Sequence, residues 1–218
     1  DPWGDLTFIF LMARLLRRLD DRLDAAGVGF SVECDGRRSF GNSHATSPRR
    51  GIDSTYVDDL AVMTVAPSPE ALVPVVKVAG AIVIDTFAEH GVRVNCKKGK
   101  TEVLLAYAGK GAKKVEEALA KQLLPTIDVV SLHLGRVVRH VVQTYKHLGG
   151  IIHFRSCMTP EVLRRSGEAG SAHAKIRSKI TGRKFVATSS RLMFLKSLSH
   201  SRLTYNASTW TELNVKQT

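Results

Sequence analysis

Two adjacent carboxylates, Asp58 and Asp59, stand inside the apolar stretch S-T-Y-V-D-D-L-A-V-M-T-V. Placing two like charges side by side against apolar flanks is costly unless something neutralises them. Paired hard oxygen donors suit Mg²⁺ or Mn²⁺ better than zinc. Divalent ions held this way can clamp the attacking and leaving oxygens of an in-line displacement at phosphorus. A solvated Asp-Asp turn between strands is the plain alternative, because Asp is a common turn residue. The preceding Tyr56 and the Val and Leu neighbours weigh against it.

Other chemistry-bearing residues are sparser. Gly99-Lys100-Thr101 resembles the end of a phosphate-binding loop, but the upstream glycine that loop needs would fall at Arg93 or its neighbour, and none stands there. An NTPase reading is therefore rejected. Cys34, Cys96 and Cys157 are odd in number and far apart, which argues against a zinc knuckle and a disulfide scaffold and fits a reducing compartment. His147 has no second histidine at ligand spacing.

The elements that must position these groups follow from periodicity. Leu11, Leu15, Leu16, Leu19 and Leu23 recur at helical spacing, which predicts a helix over 5–26, stopped by Gly27 and Gly29. F-S-V-E-C reads as a strand and 41–51 as a polar loop. The Asp58–Asp59 segment reads as strand, turn, strand. A helix follows from Pro69 to Gly91, with Pro74 an awkward interior residue. V-R-V-N and T-E-V-L-L-A-Y-A are strand-like around the basic loop C-K-K-G-K. A short helix covers A-K-K-V-E-E-A-L-A-K-Q-L, and 127–153 is β-rich. Thr159 is expected as the N-cap of a helix through Ile180, and another helix is expected over 189–210.

With 218 residues, 44% of them hydrophobic, the chain can bury a core. Its net charge of +12 favours a polyanionic partner such as nucleic acid, with an anionic membrane surface as the other option. No apolar stretch is expected to span a membrane. Between Arg155 and Arg202 eleven Lys or Arg face two Glu, so a boundary is expected between an α/β domain at 1–154 and a basic helical domain at 155–218. The chain starts at Asp1 rather than Met and reads as a fragment.

Tyr56-Val57-Asp58-Asp59 resembles the Y-x-D-D motif of reverse transcriptases. Four further segments, in the same order and approximate spacing, extend the resemblance over nearly the whole chain. Asp1-Pro2-Trp3-Gly4-Asp5-Leu6-Thr7-Phe8 is similar to the end of the family's Q-G-D-P-L segment, although Trp3 replaces the usual Leu. Gly91, Asn95 and Gly99-Lys100-Thr101-Glu102 resemble its G-x-x-x-N … G-K-T-E stretch. Tyr145-Lys146-His147-Leu148-Gly149 resembles its Y-L-G primer-grip turn. Leu203–Trp210 resembles the Y-G-A-E-x-W stretch that follows the polymerase core of non-LTR (LINE-type) retrotransposons.

This resemblance implies an α+β fold: a partial ferredoxin-like polymerase palm followed by a helical, thumb-like domain. It implies template-directed addition of dNTPs to a DNA primer on an RNA template, with Mg²⁺ or Mn²⁺ as cofactor. One metal lowers the pKa of the primer 3′-hydroxyl and the other stabilises pyrophosphate. Asp58 and Asp59 are then metal ligands, and Lys100 stabilises the leaving group, with Lys97 and Lys98 as competitors. Asp1, Pro2, Tyr56, Tyr145, Leu148 and Gly149 are expected near primer or nucleotide. Arg164, Arg165, Lys175, Arg177 and Lys179 are expected on nucleic-acid phosphates, adding salt dependence rather than sequence specificity. The family's third catalytic carboxylate and its fingers lie upstream of the matched segments, so the isolated chain is expected to be inactive. The partners are RNA, DNA primer and dNTP, with no membrane, in the nucleus or cytoplasm. The alternative is a non-catalytic, nucleic-acid-binding remnant of a retroelement.

Overall fold

Residue order alone builds the first element: Met12, Leu15, Leu19 and Leu23 fall on one stripe and are all buried along a 24-residue helix, α1 (Pro2–Ala25). A computed structural model describes residues 2–32, 49–50, 53–56, 59–122 and 125–207. Two compact units make up the chain, Asp1–Val142 and Gln143–Thr218. This division falls ahead of the 154/155 boundary expected from charge, so the last hairpin belongs with the helices.

The first unit is mixed α and β. Short ladders pair β1 (Ser31–Val32) with β2 (Arg49–Arg50), and β3 (Asp53–Tyr56) with β4 (Asp59–Val62). After α2 (Pro69–Glu89), β5 (Val103–Leu104) runs parallel to β7 (Gly135–Val142), which pairs antiparallel with β6 (Thr126–Ser131). A short helix, α3 (Ala112–Ala120), lies between β5 and β6. Among the described residues the strands form this three-stranded mixed sheet and separate two-stranded ladders, an α+β arrangement. Among the described residues V-R-V-N joins no ladder, and T-E-V-L-L-A-Y-A pairs only through Val103 and Leu104.

Helix α2 is apolar enough and long enough to cross a membrane, contrary to the expectation that no such stretch exists. Its composition has a use inside the unit, since a helix covered on several sides is apolar on several sides. Ala79, Val75, Ile82, Val83 and Phe87 pack with Leu19, Leu23 and Val28 of the α1 region. Ile84, Leu72, Val73 and Val76 pack against Ile127 and Val129 of the sheet and Leu105 just beyond β5. Pro74 is accommodated in its second turn, while Ser68 Oγ caps the helix by accepting from the Ala71 N–H.

One polar lock fixes α2 to the sheet. The buried Asp85 carboxylate accepts from Ser131 Oγ and from the N–H groups of Leu132 and His133, capping the β6–β7 turn. Burial pushes the Asp85 pKa up, but these three donors and the nearby His133 hold it below the usual carboxylate value. A depressed carboxylate stabilises the fold above its unfolded pKa, about 3.9, and that stability is lost as pH falls through the folded value. Asp85→Ala is expected to lower the stability of this unit by about 2–3 kcal/mol, since it strands buried donors from a charged acceptor. Urea titration checks this, and the deficit should narrow below about pH 4.

The second unit begins with a hairpin, β8 (Thr144–His147) and β9 (Gly150–His153). Helix α4 (Thr159–Ile176) follows and continues into a π-helical turn at Arg177–Thr181. Thr159 is its first residue rather than its N-cap; Met158 occupies the cap, and the Thr159 hydroxyl accepts from Cys157 Sγ. The expected last helix is divided into α5 (Thr188–Phe194), a π-helical stretch Leu195–His200 and α6 (Ser201–Leu203). Serines here bond back to carbonyls one turn earlier, Ser197 to Met193 and Ser201 to Ser197, a contact that competes with the regular ladder. Buried Ser199 ties this stretch to α4 by donating to the Ala169 carbonyl.

Candidate functional site

Strand pairing around the acidic pair is local. Asp53 pairs with Val62, Ser54 with Ala61, Thr55 with Leu60 and Tyr56 with Asp59, leaving two residues, Val57 and Asp58, between the last partners. Asp58 itself, like Asp1, lies outside the described residues; Asp59 heads β4 and Pro2 heads α1. Alternation along β4 sends Leu60 and Val62 into the cluster of Leu19, Leu23, Val28 and Ala79. The strand that carries Asp59 is thereby anchored on both long helices of the unit. Among the described residues no group of three or more His, Cys, Asp or Glu could hold a metal ion. The donor set in question is the adjacent pair Asp58 and Asp59, whose carboxylates have the hard-oxygen chemistry that Mg²⁺ takes.

The loop with Lys100 is built by its own side chains. Asn95 Oδ1 accepts from the Lys97 N–H at 3.2 Å, and Glu102 Oε1 accepts from the Gly99 N–H at 2.8 Å. Backbone bonds from Lys100 to Lys97 and from Thr101 to Asn95 close it. Gly99 has φ +80°, a left-handed conformation that glycine adopts without penalty. Lys97, Lys98 and Lys100 are all exposed on it. Asn95, Gly99 and Glu102, three of the positions that carried the resemblance, are the ones that shape the loop.

The second unit brings more of the expected residues together. The β8–β9 connection is Leu148-Gly149, with φ +47° and +78°, so both central residues are left-handed, as a tight primed hairpin turn requires. The Gly149 carbonyl accepts from Nη2 of Arg164 at 2.6 Å and from Nη2 of Arg165. Glu161 sits among them, 3% exposed. It accepts from Arg165 Nε at 2.7 Å, from Arg164 at 2.9 Å, and from the Ile151 N–H at 2.9 Å on the far side of the turn. Glu168 accepts from Arg164 Nη1 at 2.7 Å and Arg165 Nη1 at 3.3 Å. The Arg165 guanidinium lies over the Tyr205 ring, 4.4 Å from its centroid, a cation–π contact.

Two arginines and two glutamates therefore cancel one another around a turn. Burial pushes the Glu161 pKa up, but the bonds from Arg165, Arg164 and the Ile151 N–H, with the Arg164 charge, bring it below the ordinary range. The arrangement has no open reacting position; its physical effect is to hold the Leu148-Gly149 turn in place through the Gly149 carbonyl and the Ile151 N–H. Arg165 is buried, and its donors face the turn rather than a phosphate. Arg164 is largely covered and shares the same acceptors. Their expected role on phosphates does not match these positions: in this unit both guanidinium groups are spent internally. Lys175, Arg177 and Lys179 are exposed, the first at the end of α4 and the others on the π-helical turn.

The signal in the sequence is the spacing of the two acids, Glu161 and Glu168, relative to the arginines rather than their number. Glu161, Arg164, Arg165 and Glu168 stand at i, i+3, i+4 and i+7, the spacing of an intrahelical ion-pair ladder. Gly149 is tied to Tyr205 as well, because a Cβ there would lie 3.2 Å from the Tyr205 hydroxyl. Gly149→Ala is expected to cost about 1–2 kcal/mol through left-handed strain alone, read as a lower urea midpoint. Leu148→Gly, which relieves the same strain at the neighbouring position, should leave the midpoint unchanged or raise it.

No protein-family model, curated protein or solved structure matches the chain.

Proposed function

We propose that the chain is the C-terminal palm and thumb part of an RNA-directed DNA polymerase of the non-LTR retrotransposon kind. The observation that carries this reading is the Tyr56–Asp59 rung: it closes an antiparallel hairpin with Val57 and Asp58 in the connection, and β4 is anchored on α1 and α2. A Y-x-D-D motif needs such a support, because a carboxylate must be held in place before charge develops at phosphorus. The clamped Leu148-Gly149 turn supports it further, since the segment similar to a primer grip is fixed by its own unit.

In this reading Asp58 and Asp59 hold Mg²⁺ or Mn²⁺. The bound ion would supply Lewis-acid stabilisation of the primer oxygen and of pyrophosphate. Lys100 offers positive charge to the departing phosphates from its shaped loop. Tyr56, Asp1 and Pro2 belong near the nucleotide, while Tyr145, Leu148 and Gly149 shape the surface that receives the primer strand. Lys175, Arg177 and Lys179 contribute non-specific phosphate contacts. The palm is ferredoxin-like in the longer polypeptide, which brings the third carboxylate and the fingers, and the enzyme works inside the cell on RNA template, DNA primer and dNTP.

Primer extension on an RNA template with Mg²⁺ or Mn²⁺ tests the proposal. Incorporation that depends on both Asp58 and Asp59 supports it; incorporation indifferent to both contradicts it. Binding of RNA–DNA hybrid without any incorporation by the longer polypeptide favours the remnant reading.

A further inference from the structure

A cleft of about 890 Å³ opens between α1 and the C-terminal end of α2, lined by Phe10, Ala13, Arg14, Arg17, Arg18, Asp21, Glu89 and His90. We propose that this cleft binds single-stranded nucleic acid, with phosphates on Arg14, Arg17 and Arg18 and a base stacked on Phe10. The site is separate from the acidic hairpin, and nothing in the polymerase chemistry requires it.

The helix itself makes the arrangement. Phe10, Arg14, Arg17, Arg18 and Asp21 fall at i, i+4, i+7, i+8 and i+11, one face of α1, while Met12, Leu15, Leu19 and Leu23 occupy the buried face. Phe10 is 74% exposed, an aromatic surface that none of the described residues covers. The three arginines are exposed, and among the described residues none of their guanidinium groups has a hydrogen-bond or ion-pair partner. Guanidinium groups left unpaired on one stripe attract an anion, and on α1 Arg14 and Arg18 lie about 6 Å apart along the axis. An aromatic platform next to a positive groove is the way single strands are held without sequence preference.

The acids of the cleft do not cancel this charge. Glu89 already belongs to Arg22, which donates to both its oxygens at 2.8 Å and to Thr86 Oγ1 at 3.2 Å, and His133 Nε2 lies 3.7 Å from it. This bridge ties α1 to α2 where the cleft ends. The Arg22 bond holds the Glu89 carboxyl below its usual pKa, so it stays an ionised partner of Arg22. His90 donates from Nδ1 to the Thr86 carbonyl at 2.8 Å. Asp21 alone opposes three arginines. A cleft with one exposed aromatic beside three arginines suits a single strand, which brings a base and phosphates to it together.

The inference deepens the nucleic-acid part of the proposed function, yet it is read out by binding alone. Anisotropy of labelled oligo(U) and oligo(dT) with the full chain, over a series of salt concentrations, tests it. The triple variant Arg14→Ala, Arg17→Ala, Arg18→Ala should bind at least about tenfold more weakly at low salt, with a salt slope smaller by about 2. The corresponding glutamine variant should behave alike, and unchanged circular dichroism shows that both are folded. Phe10→Ala should weaken binding roughly tenfold with the slope unchanged, and Phe10→Tyr should not. A charge-matched control, Lys113→Ala, Lys114→Ala, Lys121→Ala on and beside α3, should bind as the parent does. Equal losses in control and cleft variants, or no loss in the cleft variants, overturns the proposal. So does arginine-dependent binding to phosphatidylserine vesicles without binding to the oligonucleotides. Failure here leaves Asp58-dependent primer extension untouched, so the two ideas fail separately.

Discussion

Glu161→Ala is expected to destabilise the Gln143–Thr218 unit by about 3–5 kcal/mol, because it leaves two arginines covered with only Glu168 to balance them. It also removes the acceptor of the Ile151 N–H, so the turn loses support on both sides. Urea unfolding of the chain should show a transition at lower denaturant for this unit, and a cost below about 1 kcal/mol would contradict the account. Replacing the pair together, Glu161→Leu with Arg165→Met, should cost far less than Glu161→Ala, since an apolar pair of similar volume often equals a buried ion pair. The pH dependence follows from the sign of the shift. Glu161 is held below its unfolded value, about 4.3, so its contribution is complete above that pH and is lost as pH falls through the folded value. Glu161→Gln should remove that part of the acid sensitivity.

Asp58→Asn in the longer polypeptide is expected to reduce nucleotide incorporation by roughly a thousandfold, the effect of losing about 4 kcal/mol of charge stabilisation at the reacting phosphorus. The substitution keeps the shape of the side chain and removes its charge, so folding should be unaffected. Asp59→Asn should behave alike if both acids hold metal. Lys100→Ala should fall short of either, because Lys97 and Lys98 stand on the same loop and can supply part of its charge. A loss equal to that of Asp58→Asn would give Lys100 a larger part than this account assigns.

The long helices were legible because their signals are redundant. The leucine stripe of α1 predicts a helix over 5–26 and it forms from Pro2 to Ala25; Pro69 and Gly91 mark the two ends of α2. The ladder at 53–62 matches the strand, turn, strand reading of the acidic segment, and the hairpin at 144–153 lies within the stretch read as β-rich. The sequence suggests a strand at V-R-V-N that does not form: its alternation is strand-like, but no described strand pairs with it. The continuous last helix expected over 189–210 is instead divided, because its leucines keep helical spacing even where serines bond back to the backbone along the π-helical stretch.

Arg165 is the instructive miss at the site. It was grouped with exposed cations because positive charge was counted along the sequence rather than around the helix. By period it falls in phase with Ala169, Ala172 and Ile176, all buried, and with Glu161 one turn earlier. A charged residue on a buried stripe with an acid at i−4 reads as an internal ion pair. Tyr205, which completes the clamp, is far along the chain, and no local pattern announces that contact. The Asp85 lock was hidden for the same reason: Ser131 lies 46 residues away.

The central claim is that Asp58 and Asp59 serve nucleotide addition within a longer polymerase. Its most direct test compares primer extension on an RNA template by these 218 residues and by the longer polypeptide, each with and without Asp58→Asn. The account predicts no incorporation by the isolated chain, Mg²⁺- or Mn²⁺-dependent incorporation by the longer one, and its loss on Asp58→Asn. Incorporation by the isolated chain, or activity in the longer polypeptide that survives Asp58→Asn, would contradict it.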